Sequence, residues 1–161
     1  MIEILDNNLA HMAERMKSCL GKDIASLPGS GAAGGMGSAM LAFFDATMKK
    51  GVNVVIEATG LEEIIKDASL VFTGEGRIDT QILHGKTPYG VALVAKKYNI
   101  PVVAIAGGIR EDAYSLFDYG IDSIESIVDK PMDLESCMNQ SETLIARAAE
   151  RVMRSILISI K

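Results

Sequence analysis

The chain has 161 residues, a length that suits one domain, and 48% of them are hydrophobic. Its formal net charge of −5 argues against a nucleic-acid partner, because binding a phosphate backbone needs a basic face. No apolar run has the ~18 residues that a membrane span requires, and Cys19 and Cys137 lie outside any CxxC pattern, so we expect a soluble, cytoplasmic protein with free thiols.

The first fifty residues are predicted to be mainly helical. Apolar residues recur every three or four positions in Leu5–Leu20, and Gly21 follows them. This spacing predicts an amphipathic helix that ends at the glycine. A Gly-rich segment, Pro28–Gly37, then leads into a second predicted helix through Met40–Met48, which we expect Gly51 to end.

From residue 51 onward, short β-rich runs alternate with helical segments. The predicted strands are Asn53–Glu57, Leu70–Thr73, Val102–Ala106 and Ser123–Ile127. The predicted helices are Leu61–Asp67, Pro88–Tyr98, Asp112–Tyr119 and a long final helix that follows Ser141. Such alternation implies βαβ units. We therefore expect an α/β fold with an open, mainly parallel four-stranded sheet and flanking helices, three-layered like flavodoxin and Rossmann folds.

The ends of the predicted strands indicate where a ligand would bind. In open parallel sheets, ligands bind beyond the carboxyl ends of the strands. The loops after the second and third predicted strands begin at Gly74 and Gly107. We expect these two loops to border a site.

The segment from Thr73 to Pro88 carries cationic groups suited to an anion. Gly85, Lys86 and Thr87 precede or begin a predicted helix, where free N–H groups and the helix dipole favour negative charge. Arg77 can bind a carboxylate or phosphate through two parallel hydrogen bonds. Phosphoryl transfer needs such cationic groups together with a metal-binding carboxylate and an oriented nucleophile.

Two carboxylates in the same segment complete this set. Asp79 and Glu75 are candidates to hold Mg²⁺ or to accept a proton from a substrate hydroxyl. We predict Asp79, Lys86 and Arg77 as the catalytic residues. The remaining candidates for binding substrate or phosphate here are Gly74, Glu75, Gln81, Gly85 and Thr87.

Each of these residues also has an ordinary structural interpretation. The glycines can serve turns, Arg77 can form a surface ion pair with Glu75 or Asp79, and Thr87 with Pro88 can simply start a helix. The segment can also contain a helical turn. Both interpretations stay open at the level of the sequence.

The Gly-rich segment fits the letters GxGxxG, but no β-rich run precedes it. It is therefore a poor dinucleotide-binding fingerprint. It can cradle an anion, because its glycines allow the backbone to approach closely, or it can let two helices pack. Its candidate binding residues are Gly29, Ser30, Gly31, Gly34 and Gly35.

Taken together, these segments resemble the bacterial type I glycerate kinases of glyoxylate and sugar-diacid pathways. The Gly/Ala-rich run Pro28–Gly37 is similar to a segment of that family, and Thr73–Asp79, continued by Gly85–Pro88 and Gly90–Ala92, resembles its most distinctive motif. Pro101–Gly108 also matches in kind and spacing. The resemblance implies a two-lobed α/β kinase that uses ATP and Mg²⁺ to phosphorylate D-glycerate to phosphoglycerate.

The resemblance covers only the C-terminal portion of the longer family members. The family's Asp-Ser-Phe-Lys, Gly-rich and Asp-Gly-Gly motifs are absent from this sequence. Residues 1–50 are candidates for a remnant of the second lobe, and residues 51–161 for the α/β domain. The alternative hypothesis is a truncated or split, non-catalytic domain, and the expected partners are a complementary N-terminal half or further copies of the chain.

Overall fold

The computed structural model describes residues 1–160, with side chains described for residues 1–158. The chain forms two compact units, Met1–Lys49 and Lys50–Lys161. No helix in the described range has both the length and the apolar character needed to cross a membrane. The assignment of the first unit to a second lobe stays a prediction.

The first unit contains two helices. Helix α1 spans Ile2–Leu20 and ends as expected at Gly21, whose φ of 70° and N–H bond to the Lys17 carbonyl close the helix. Helix α2 spans Ala32–Phe43, with a kink of left-handed residues from Ala33 to Gly35. The prediction that this helix continues to Gly51 was wrong, because the chain leaves it at Phe43 and Gly51 instead starts the next helix.

The second unit is an α/β domain. Its helices are α3 (Gly51–Thr59), α4 (Leu61–Ile65), α5 (Thr87–Lys97), α6 (Leu134–Asn139) and α7 (Ser141–Ile160). Its strands are β1 (Val71–Ile78), β2 (Val102–Ile109) and β3 (Ser123–Ser126). Two 3₁₀ helices, Thr80–His84 and Glu111–Tyr119, follow β1 and β2.

The strands form an open parallel sheet in the order β1-β2-β3. In the register, Val71 pairs with Val102, and Val103 pairs with Ser123. The expected parallel α/β sheet with flanking helices is confirmed. The central strand β2 is buried along Val102–Ala106, as its continuous apolar sequence predicts.

Alternate residues of β2 build two hydrophobic cores. Val102, Ala104 and Ala106 pack in one core with Ala92 and Ala95 of α5. The second core contains Val103 and Ile105 of β2 together with Leu144 and Ala148 of α7. Helices therefore cover both faces of the sheet.

The first predicted strand, Asn53–Glu57, is instead part of helix α3. Its β-branched residues favour a strand intrinsically, but tertiary packing outweighs this preference. Val52 and Ile56, one helical turn apart, lie beside Gly90 of α5. Within residues 1–160 the sheet therefore has three strands, and the four-stranded expectation was wrong.

Candidate functional site

Strands β1 and β2 continue beyond the points where the sequence predicted loops. β1 runs to Ile78 and β2 to Ile109, so Gly74 and Gly107 lie within paired strands. A Cβ at Gly74 would lie 3.2 Å from the Ile105 carbonyl oxygen. Gly74 thus permits close strand pairing, and the expected loops begin five and three residues later than predicted, after Ile78 and Ile109.

The alternation of side chains shifts by one residue near the ends of both strands. Ala106 packs in the core that contains the α5 residues, and Ile109, three residues later, packs against the same core. Likewise Glu75 pairs with Ala106 in the parallel register and so lies on the face of that core, and Ile78, three residues later, belongs to the core. In a regular strand, residues three apart lie on opposite faces. The shift therefore turns the strand ends relative to the rest of the sheet.

A groove of about 430 Å³ lies among α3, β1 and the start of α5. Its volume is within the range of small-molecule sites. It combines an apolar wall from α3 with the charged side chains of Glu75 and Lys86. The lining residues are Gly51, Val52, Val55, Ile56, Thr59, Leu61, Glu75, Gly85, Lys86, Thr87 and Val91. The structure thus brings together Glu75, Gly85, Lys86 and Thr87 of the predicted site residues.

The local sequence positions Lys86 at the N terminus of α5. Gly85 has a φ of 97°, a left-handed conformation that favours glycine, and ends the Thr80–His84 3₁₀ helix. Lys86 is extended and is the N-cap of α5, which starts at Thr87 with Pro88 in its first turn. Lys86 is exposed and forms no ion pair within the described residues. Its ammonium group and the helix N terminus together favour an anion in the groove.

Asp79 occupies a different position from the one expected for an exposed metal ligand. The residue is only 3% exposed, and its Oδ1 accepts a hydrogen bond of 3.0 Å from the Gln81 N–H. Its Oδ2 lies 3.7 Å from Arg77 Nε, while the Arg77 side chain is largely exposed. Asp79 therefore caps the 3₁₀ helix and orients Arg77, and the ion pair that the sequence allowed is present.

The donor set fits Mg²⁺ through Glu75 better than through Asp79. Mg²⁺ commonly takes one or two protein carboxylates and completes its shell with water and substrate phosphates. Glu75 lines the groove, whereas both oxygens of Asp79 already face protein groups. No group of three or more His, Cys, Asp or Glu side chains suited to a metal occurs in the described part of the chain.

Two residues that the sequence did not single out lie directly after β2. The Arg110 N–H donates to the Ile78 carbonyl over 3.0 Å, which extends the pairing of the two strands. Asp112 Oδ2 accepts from the Thr80 hydroxyl at 2.6 Å and from the Thr80 N–H at 3.2 Å. These two donors hold the pKa of Asp112 below its ordinary value. A predicted end of β2 at Ile109 rather than Ala106 would have placed both residues in the segment expected to border the site.

The Gly/Ala-rich residues lie in the first unit, apart in sequence from the groove residues. The N–H and hydroxyl of Ser38 both donate to the Ser30 carbonyl, at 2.8 and 3.0 Å. A Cβ at Gly37 would lie 2.1 Å from the Gly29 carbonyl oxygen. This close approach explains why residue 37 is a glycine. The binding roles of Gly29, Ser30, Gly31, Gly34 and Gly35 stay predictions.

Comparison with known proteins identifies relatives along nearly the whole chain. A model of the glycerate kinase family matches residues 1–157. The glycerate kinase of Bacillus subtilis is 44% identical over 161 residues, which are 100% of this chain and 41% of the relative. The glycerate 2-kinase of Escherichia coli is 45% identical over 161 residues and is covered to 42% of its length. The glycerate kinase of Halalkalibacterium halodurans is 46% identical over 151 residues, 94% of this chain and 40% of the relative.

A solved structure agrees with these relatives. The crystal structure described as glycerate kinase 2 from Salmonella typhimurium LT2 is similar with a TM-score of 0.76 and 37% sequence identity. The similarity covers 100% of this chain and 40% of the solved chain. The chain thus spans about two-fifths of the length of the relatives that it matches.

Proposed function

Because the chain belongs to the glycerate kinase family, we propose that it is the C-terminal part of an enzyme that phosphorylates D-glycerate with ATP. The observation that carries this proposal is the groove in which Lys86, at the N terminus of α5, and Glu75 line one cavity. A cation and a carboxylate at one place are among the parts that phosphoryl transfer uses, and a helix N terminus beside them favours an anion. The names of the relatives supply the substrate class.

Lys86 and the start of α5 bind the anionic groups of the reactants. The ammonium group of Lys86 is exposed, and the N–H groups of the first turn of α5 have no partner within the helix. Arg77, at the end of β1, offers a guanidinium for the carboxylate of glycerate or for a phosphate. These cations stabilise the charge that spreads over the transferred phosphoryl group.

The carboxylates handle the proton and the metal. The hydroxyl oxygen of glycerate bonds to the γ-phosphorus, the bond from that phosphorus to the leaving oxygen of ADP breaks, and the hydroxyl proton passes to a carboxylate. Asp79, whose Oδ1 is fixed by the Gln81 N–H, is the candidate base through its Oδ2, which lies beyond hydrogen-bond distance of Arg77, and Glu75 is the candidate Mg²⁺ ligand. Bound Mg²⁺ supplies neutralisation of the phosphate charge.

A coupled assay of ADP release tests this function. The chain is assayed with ATP, Mg²⁺ and D-glycerate, alone and with the remaining portion of a family member added in trans. Glycerate-dependent ADP release in either arm supports the proposal. ATP hydrolysis that does not depend on glycerate, or no release in either arm and none from a covalent fusion, contradicts it.

A second candidate is a non-catalytic domain that needs a partner half for activity. The chain spans only about two-fifths of the length of its relatives. In the described residues β1 is an edge strand, and its Phe72 is 39% exposed. Exposed edges pair readily with further strands. Release of ADP only when the remaining portion is added favours this candidate, whereas turnover by the chain alone excludes it.

The name of the Escherichia coli relative also bears on the product. That protein is called a glycerate 2-kinase, and it is 45% identical to this chain. We therefore propose 2-phosphoglycerate as the product. Phosphorus NMR of the reaction mixture separates the 2-phosphate from the 3-phosphate, and accumulation of the 3-phosphate as first product contradicts the assignment.

A further inference from the structure

The segments that follow β1 and β2 are tied together by a single carboxylate. Asp112 lies in the 3₁₀ helix after β2, and one of its oxygens, Oδ2, accepts from both the hydroxyl and the N–H of Thr80. Thr80 is the first residue of the 3₁₀ helix after β1. A side chain 32 positions away in the sequence therefore fixes the start of this short helix.

The two hydrogen bonds from Thr80 to Asp112 also affect the neighbouring residue, Asp79. Asp79 is the N-cap of the same 3₁₀ helix, and its own carboxylate is oriented by the Gln81 N–H and by Arg77. The backbone bond from the Arg110 N–H to the Ile78 carbonyl fixes the other side of Asp79. Asp79 is thus held on both sides by groups from the segment after β2.

A short 3₁₀ helix does not hold this geometry strongly by itself. The Thr80–His84 helix has 5 residues, ends at the left-handed Gly85, and leads directly to Lys86. Runs of 3₁₀ helix have poorer hydrogen-bond geometry than α-helices. An external acceptor for its first N–H therefore contributes to the position of both Asp79 and Lys86.

We propose that Asp112 is a positioning residue for the phosphoryl-transfer site, acting through Thr80 to hold Asp79 and the turn that leads to Lys86. This inference rests on the proposed function. Asp112 does not itself touch the reactants. Its removal leaves the groove in place but loosens the carboxylate that accepts the proton, so that the chemical step slows more than substrate binding does.

Hydrogen exchange on the chain itself tests the tie without any assay of activity. In Asp112→Ala, we expect faster amide exchange in Thr80–His84, with exchange in β2 unchanged. Asp118→Ala is the matched control, because Asp118 is an exposed aspartate on the same 3₁₀ helix whose side chain forms no hydrogen bond within the described residues. Equal exchange of Thr80–His84 in the wild-type chain and in Asp112→Ala overturns the inference.

Kinetics of the assembled enzyme test the role in the reaction. We expect Asp112→Ala to lower kcat about ten- to a hundredfold, with little change in KM for glycerate, because a small misplacement of a reacting group has effects of this size. Thr80→Val keeps the N–H but loses the hydroxyl, and we expect a smaller loss of the same kind. Thr80→Ser, which keeps the hydroxyl, should have a kcat close to that of the wild-type enzyme.

A double substitution distinguishes a shared contact from two independent effects. If Asp112 and Thr80 act through one hydrogen-bonded pair, Thr80→Val combined with Asp112→Ala lowers kcat no further than Asp112→Ala alone. Multiplied losses, or an equal loss in Asp118→Ala, overturn the inference. If the unsubstituted enzyme shows no turnover, the proposed function and the kinetic role of Asp112 are both overturned. If amide exchange of Thr80–His84 is unchanged in Asp112→Ala, only the inference about the Thr80–Asp112 hydrogen bonds is overturned.

Discussion

A Cβ at Gly107 would lie 2.7 Å from the carbonyl oxygen of Gly76 on the neighbouring strand. The two residues stand where side-chain alternation shifts in both β1 and β2. A side chain at position 107 would clash with the Gly76 backbone, so the shift in side-chain alternation requires a glycine at this position. The end of β1, which carries Arg77 and leads to Asp79, follows directly after this close approach.

Gly107→Ala should therefore destabilise the fold. The new methyl group meets a backbone atom that cannot rotate away, and overpacking of this kind costs about 1–3 kcal/mol of unfolding free energy. Chemical denaturation measures the change. Gly76→Ala is the matched control, because a Cβ there has no atom within 4 Å. Equal losses in both variants would contradict the steric explanation.

Lys86 should be needed for turnover and not for folding. We expect Lys86→Met, which keeps an apolar stem but removes the charge, to lower kcat about a hundredfold, since loss of one electrostatic contact to a transition state has effects of this order. The unfolding midpoint should stay unchanged because the side chain is exposed. Lys130→Ala, at another exposed lysine, serves as the control, and near-normal kcat in Lys86→Met would remove Lys86 from the mechanism.

Gly90 should set the distance between α3 and α5. A Cβ at Gly90 would lie 2.2 Å from Val52 Cγ2 and 3.3 Å from Ile56 Cδ1. Gly90→Ala should thus destabilise the chain by about 1–3 kcal/mol and displace the wall of the groove. Adding Val52→Ala removes the clashing atoms and should recover part of the loss. No recovery in the double variant would indicate that the two helices do not meet here.

Asp112 should make the stability of the second unit depend on pH. The hydroxyl and N–H of Thr80 hold the pKa of this carboxyl below its ordinary value, and Arg110 acts in the same direction. A lowered folded-state pKa stabilises the fold above the unfolded-state pKa, and this contribution is lost as the pH falls through the folded-state pKa. The difference in unfolding free energy between the wild-type chain and Asp112→Ala should therefore shrink as the pH falls below about 4.

Denaturation at a series of pH values between neutral and acid measures this difference. A difference for Asp112→Ala that does not change with pH would show that the Thr80 bonds do not stabilise the charged carboxylate.

Much of the fold could be predicted from local patterns. Three local patterns predicted the element that the structure contains: the periodic apolar residues of α1, the continuous apolar run of β2, and Thr87–Pro88 at the start of α5. Helix α3 could not be predicted in this way. Its run of β-branched residues favours a strand, and only packing of Val52 and Ile56 beside Gly90 selects the helix.

The candidate site could be predicted only in part, because residue type is visible in the sequence but strand ends and distant partners are not. Glu75 and Lys86 were identified by residue type, and the structure brings both to one groove. Gly74 and Gly107 were interpreted as loop residues, although glycine within a strand can also mark close approach of two backbones. Ending β2 too early in turn left Asp112 outside the expected site, and its partner Thr80 is 32 residues away, beyond any local pattern.

On the proposed function, these residues form part of a working glycerate kinase. The most direct measurement replaces the matching 41% of the Bacillus subtilis glycerate kinase with this chain, which aligns over 161 residues, and follows ADP release with ATP, Mg²⁺ and D-glycerate. We predict glycerate-dependent turnover that is lost in Lys86→Met and retained in Lys130→Ala. A folded hybrid without glycerate-dependent turnover, or with full turnover in Lys86→Met, would contradict this function.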